Sequence, residues 1–158
     1  MGHETDISNT ADVIDVRDIT PRIEELEGLR DAVEAVKANR ADMANASPEE
    51  IEQADDAITD AEAEFDEDAQ AELAMLLSLM EDLKGNGGDE QWRGDWYPLI
   101  LVRDSHFKDF AQEEAESLDL IKADMRWPYT CIDWDQAATE LQSDYTTVEY
   151  DGETYWYR

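Results

Sequence analysis

Leu26, Leu29, Val33, Val36, Arg40 and Met43 fall alternately three and four residues apart, an apolar seam interrupted only by Arg40. That period belongs to a helix with one edge packed on a partner helix. Asp18 or Thr20 followed by Pro21 marks its start, and the pattern carries it to about Ala46. Gly28 weakens it by up to about 1 kcal/mol relative to alanine. Asn45-Ala-Ser-Pro-Glu-Glu50 reads as a stop and a restart: Ser47 caps, Pro48 takes the first helical position and Glu50 completes a capping box. One helix is then expected from there to Lys84, with Gly85 as its left-handed cap. Ile51, Ala54, Ile58, Ala61 and Phe65 form its seam. The short connection implies an antiparallel hairpin, and one register sets Met43 against Ile51, Val36 against Ile58 and Leu29 against Phe65. Beyond it, Leu73, Leu76, Leu77, Met80 and Leu83 make a wider apolar face. That face is expected to dock on the C-terminal region or on a second copy.

Residues 1–16 read as a polar arm in which Asp12-Val-Ile-Asp-Val16 is either a short strand or a docking segment. Gly85-Asn-Gly-Gly88 is a flexible break. After it, 96–102 reads as extended. Asp104 is expected to cap a helix carrying Phe107, Phe110, Ala111, Glu114 and Leu118, and Asp133 a short helix with Trp134, Ala137, Ala138 and Leu141 on one side. The ending has a strong hairpin signal: two aromatic runs around Asp151-Gly152, which suits a type I′ turn. It pairs Val148 with Tyr155 and Thr147 with Trp156. The expected fold is α+β and mostly α, an acidic antiparallel helical hairpin (a coiled coil) followed by a small aromatic-rich α+β domain ending in a β-hairpin. The expected pieces are an arm at 1–20, the hairpin at 21–84, a Gly-rich linker at 85–94 and the last domain at 95–158.

Charge changes this picture. The 158 residues hold 42 acids and 12 bases, a formal charge of −30. Residues 1–91 carry 27 acids against 6 bases, while all five Trp and all six Tyr lie after position 91. Within 49–72, twelve of 24 residues are acidic, and no Lys or Arg occurs between Arg40 and Lys84. As a helix this stretch spans roughly 36 Å, about one carboxylate per 3 Å. Duplex DNA carries one phosphate per about 1.7 Å of axis, both strands counted, so the densities are comparable. Like charges at i,i+4 cost a helix a few tenths of a kcal/mol each. Such acidity excludes direct binding to DNA, RNA or an anionic membrane and favours basic partners.

No catalytic constellation emerges, and no enzyme is expected. His3 lies in the arm, and His106 reads as a surface or capping residue. The single cysteine, Cys131, reads as a core residue and fits a reducing cytoplasm. Two His and one Cys make no usual zinc site, and no phosphate-cradling glycine loop is present, so no cofactor or metal is expected. No secretory leader or membrane-spanning run is read.

The sequences RDSHFKDFAQEEAESL and WPYTCIDWDQAATELQSDYTTVEYDGETYW, together about a third of the chain, resemble the C-terminal part of ArdA-type antirestriction proteins. They are closer still to small phage and prophage proteins sharing that ending. ArdA proteins are elongated acidic DNA mimics that block type I restriction enzymes by occupying the DNA-binding groove. The resemblance therefore implies a phage- or plasmid-encoded inhibitor of host defence, acting in the bacterial cytoplasm. The N-terminal half has no counterpart in those proteins, so a restriction enzyme, a CRISPR effector or another cationic groove each fit as target.

The DNA-mimic face is expected at Glu49, Glu52, Asp55, Asp56, Asp60, Glu62, Asp66 and Glu67. Leu76, Met80, Leu83, Trp92 and Trp96 are expected to make dimer or docking contacts. The partner expected is a basic DNA-binding protein, a host restriction or CRISPR complex, with a homodimer possible. The alternatives are a coiled-coil adaptor whose acidic face only gives solubility, and an acidic chaperone for histone-like proteins.

Overall fold

A computed structural model describes residues 7–121, 124 and 126–158. The chain is α+β and mostly helical, with five α-helices and six short strands among the described residues. It divides into two compact units, one of residues 19–78 and one joining the chain up to Asp18 with 79–158.

In the 19–78 unit, α1 (Ile19–Ala41) and α2 (Pro48–Glu64) form the hairpin. α1 ends five residues short of the expected Ala46. Ser47 starts α2 as its sequence requires: its hydroxyl accepts from the Glu50 backbone N–H, and the Glu50 carboxylate accepts from the Ser47 N–H at 3.0 Å. Leu29, Val33 and Val36 on α1, Met43 two residues past its end, Ile51 and Ile58 on α2 and Phe65 at its C-terminal cap are half-buried, and Ala54 is buried. Arg40 Nε donates to Asp55 and Lys37 Nζ meets Glu62, each at 2.8 Å, across the pair as antiparallel helices allow.

The single helix expected from 48 to 84 is two. α2 stops at Glu64 and α3 (Glu67–Leu83) begins after a break at Phe65-Asp66. Two features favour the break. Glu62/Asp66 and Glu64/Asp68 would stack like charges at i,i+4 in a continuous helix. Asp66 serves better as a cap, accepting from the Ala69 N–H at 2.9 Å. Arg22 of α1 grips Glu72 of α3 through two hydrogen bonds of 2.8 and 2.7 Å. That pairing holds the guanidinium pKa above its ordinary value.

The other unit is built on an antiparallel sheet in the order β1-β4-β6-β5. Its strands are β1 (Val13–Asp15), β4 (Ile100–Arg103), β5 (Thr146–Tyr150) and β6 (Glu153–Tyr157). The expected pairings of Val148 with Tyr155 and Thr147 with Trp156 are present. Asp151 and Gly152 both have positive φ, as a type I′ turn requires. Within the arm expected at 1–20, the short-strand alternative at 12–16 is the one present: β1 pairs with β4, and Ile14 and Val16 are fully buried. Tyr150 and Tyr155 donate their hydroxyls to the Ile7 and Ala11 carbonyls at 2.6 and 2.8 Å, tying this segment to the last hairpin.

The linker expected at 85–94 is also corrected. It contains β2 (Asp89–Trp92), which pairs with β3 (Asp95–Tyr97) around Arg93-Gly94. Gly88 sits at positive φ, and a Cβ there would collide with the Tyr97 carbonyl. α4 (Phe107–Ser117) and α5 (Trp134–Gln142) complete this unit. Phe107 is the centre of an aromatic cluster with Phe110, Tyr145 and Trp156, at centroid distances of 5.3–5.6 Å. Asp133 caps α5 as expected, accepting from the Asp135 and Gln136 N–H groups. Asp104 does not cap α4: a 3₁₀ turn intervenes, and its carboxylate accepts from Trp156 Nε1 at 2.9 Å.

Candidate acidic binding face

The α2 seam of Ile51, Ala54, Ile58, Ala61 and Phe65 decides where the carboxylates go. At about 100° per residue, Glu49, Glu52, Asp56, Asp60 and Glu64 gather on the opposite side of the helix. All five are exposed. Among the described residues none has a base within ion-pair distance. Glu52, Asp56, Asp60 and Glu64 stand at i,i+4, a row with a step of about 6 Å. The sequence reading passed over Glu64, although the four-residue step from Asp60 was there to find it.

The remaining expected face residues divide. Asp55 and Glu62 lie on the α1 side of α2 and are taken by Arg40 and Lys37. The run without bases from 41 to 83 is thus partly neutralised from the neighbouring helix, which the linear charge pattern did not reveal. Exposed pairs of this kind contribute about 0–1 kcal/mol each. Asp66 caps α3, and Glu67 is exposed in the first turn of α3, where the helix dipole favours an acid. The break sets both of them off the α2 row.

The 19–78 unit holds eighteen acids and four bases, a net −14. Each of its bases is engaged: Arg22 by Glu25 and Glu72, Arg30 by Glu27 and Asp31, Lys37 by Glu62, Arg40 by Asp55. The rest of the chain holds 24 acids and eight bases, a net −16. Acidity is therefore general; among the described residues the α2 row is the longest run of carboxylates at i,i+4 without an ion pair.

Of the expected dimer or docking set, Leu76, Met80 and Leu83 are at most 1% exposed, so this face is covered within the single chain, which the first of its two expected alternatives requires. Trp92 is half-buried, with the Arg93 guanidinium 3.9 Å from its ring centroid and Tyr97 beside it. Among Leu76, Met80, Leu83, Trp92 and Trp96, Trp96 alone is well exposed, at 53%.

Cys131, expected in the core, is exposed in a 3₁₀ turn. His106 Nδ1 lies 3.8 Å from Asp12, and His3 falls outside the described residues. Among the described residues no three His, Cys, Asp or Glu side chains are placed to hold a metal ion, and no helix is long and apolar enough to cross a membrane. Tyr97, Tyr145 and Tyr157 have pKa values raised by burial; all three lie in the sheet unit. No family model, no curated protein and no solved structure matches the chain.

Proposed function

We propose that the chain is an acidic inhibitor that imitates nucleic acid and occupies the DNA-binding groove of a host defence nuclease, a type I restriction enzyme or a CRISPR effector. The observation that carries the reading is the α2 row: Glu49, Glu52, Asp56, Asp60 and Glu64 exposed, unpaired and regularly spaced opposite a packed seam. A row with a step of about 6 Å offers a Lys/Arg-lined groove a ladder of charges on a stiff support. The resemblance of the last third to ArdA-type proteins points to the same class. Such a protein works by competition, has no catalytic step and does not itself bind nucleic acid or membrane.

The test is charge reversal. Glu52→Lys, Asp56→Lys and Asp60→Lys together should weaken inhibition of DNA cleavage by at least tenfold at about 0.1 M salt, with the helical signal kept. Asp55→Asn with Glu62→Gln, whose carboxylates already face bases, should cost less. Inhibition by the parent should also fall steeply with salt, since exposed charges are screened beyond about 10 Å at 0.1 M. Equal potency of the reversed variant against both nuclease classes ends the proposal.

A second reading is favoured by the net −16 outside the hairpin unit. There the acid is a hydrated shell that keeps an adaptor protein soluble. On that reading the reversed variant keeps its partner, and capture from lysate resists salt.

A further inference from the structure

Asn86-Gly87 stands in the turn between α3 and β2, and both residues are exposed. The chain has four Asn, at positions 9, 39, 45 and 86, and only Asn86 is followed by Gly. Asn86 closes the end of α3. Its backbone N–H donates to the Leu83 carbonyl at 3.1 Å, and its side-chain Nδ2 donates to the Asp82 and Lys84 carbonyls at 3.1 and 3.4 Å. Carbonyls at a helix end have no partner inside the helix, so these bonds complete it. Gly87 has no Cβ to shield its main-chain nitrogen, and among the described residues its N–H has no hydrogen-bond partner.

The turn is held closely on its other side. The Gly85 N–H donates to the Trp96 carbonyl at 2.7 Å. A Cβ on Gly87 would lie 3.1 Å from the Arg158 main chain, and one on Gly88 would collide with the Tyr97 carbonyl. An unshielded, unbonded nitrogen next to an exposed carboxamide is the arrangement for ring closure between neighbouring residues, and exposure admits the water and base that the reaction uses.

We propose that Asn86 is a self-modifying site: it deamidates through attack by the Gly87 nitrogen, and the products loosen the turn that joins α3 to the β2–β3 hairpin. In the first step the bond from the Gly87 nitrogen to Asn86 Cγ forms and the Cγ–Nδ2 bond breaks. Ammonia leaves with the proton from the Gly87 nitrogen, and a five-membered succinimide remains. Water then opens one of the two ring C–N bonds. Opening at Cγ leaves aspartate; opening at the main-chain carbonyl leaves isoaspartate, whose main chain runs through the former side chain and is one carbon longer. Both products lose the two Nδ2 donations and set a carboxylate against the carbonyl end of α3, where the helix dipole opposes it. Isoaspartate also lengthens the chain where Gly87 and Gly88 are closely covered by Arg158 and Tyr97. The α2 row takes no part, so the site stands whether or not that row imitates DNA.

The experiment is incubation of the full chain in mildly alkaline buffer, with samples digested over time and analysed by mass spectrometry. Trypsin cuts after Lys and Arg, so residues 85–93 carry Asn86 and residues 41–84 carry Asn45, each the only Asn of its peptide. Asn45 is the internal standard: it is also exposed in a turn but is followed by Ala46. The 85–93 peptide should convert at least tenfold faster than the 41–84 peptide, into two products of equal mass that chromatography separates, and its rate should rise with pH. The urea midpoint of the incubated chain should fall in step with the converted fraction, and Asn86→Asp should unfold at lower urea than the parent from the outset. Asn86→Ser has no carboxamide to lose, so its midpoint should stay constant through the incubation, whatever its starting value. Equal conversion of the two peptides overturns the modification. A converted chain that keeps the parent's midpoint, or an Asn86→Ser chain that weakens as fast as the parent, overturns the loosening.

Discussion

Replacing Asp56 and Asp60 by Asn removes two carboxylates from the α2 row and three like-charge neighbours with them: Glu52–Asp56, Asp56–Asp60 and Asp60–Glu64. Residues four apart are about 6 Å apart along a helix. Two unit charges at that spacing in water repel by about 0.7 kcal/mol. A Debye length of about 10 Å at 0.1 M salt cuts this to about 0.4 kcal/mol, and one of about 3 Å at 1 M to about 0.1. Three contacts thus total about 1.2 kcal/mol at low salt and about 0.3 at high salt. Asn and Asp have similar helix propensities, so the backbone contribution nearly cancels. The assay is unfolding followed by circular dichroism at both salt concentrations, with urea because guanidinium chloride is itself a salt. The variant should unfold at higher urea by roughly 0.5 M in 0.1 M salt, and most of the gain should vanish at 1 M. No gain at low salt, or a gain that survives at high salt, refutes the idea that the row stores repulsion. On the proposed function the same variant is the weaker inhibitor, so stability and activity should move in opposite directions.

Tyr155→Phe removes the donor that satisfies the buried Ala11 carbonyl; it should cost about 1–3 kcal/mol in the urea titration. Alkaline pH should unfold the chain sooner than an ordinary set of tyrosines would predict. Burial raises the pKa of Tyr97, Tyr145 and Tyr157, so the folded chain holds these protons more tightly than the unfolded one. Their contribution is complete below about pH 10 and is lost as pH rises through the raised values. Absorbance at 295 nm should show their ionisation lagging behind that of the urea-unfolded chain, and the urea midpoint should fall above about pH 10.

Where two sequence signals agreed, the fold was legible. Strand-forming runs on both sides of Asp151-Gly152 set the β5–β6 register to the residue, because a two-residue turn leaves no freedom to slip. The capping box at Ser47 and the cap at Asp133 were local and were read correctly. Single signals misled. The heptad spacing runs through Phe65 and hid the break there, which rests on charge and on a capping side chain. β1 is three residues long, so 12–16 could be read as a strand or a docking segment, but its partner β4, distant in the chain, could not be named. The β2–β3 turn is Arg93-Gly94, with positive φ at both positions, and lacks the Asn or Asp that announces such turns. Asp55 and Glu62 looked free because their bases, Arg40 and Lys37, stand on another helix. Leu76, Met80 and Leu83 are covered as their apolar periodicity predicts, but periodicity alone does not choose between cover from the same chain and cover from a second copy.

The position of β1 in the sheet also sets a timetable for synthesis. α1 and α2 are neighbours in sequence, and their pairing can close as soon as both have left the ribosome. β1 is made before them, yet its partner β4 comes only after α3 and the β2–β3 hairpin, and β4 must wait again for β6. At roughly 5–20 residues per second, the apolar residues Ile14 and Val16 spend several seconds without their native cover. Residues 17–99, made during that wait, add 24 acids against seven bases. The growing polypeptide thus repels its neighbours on the same message during the interval when an uncovered strand would otherwise recruit them.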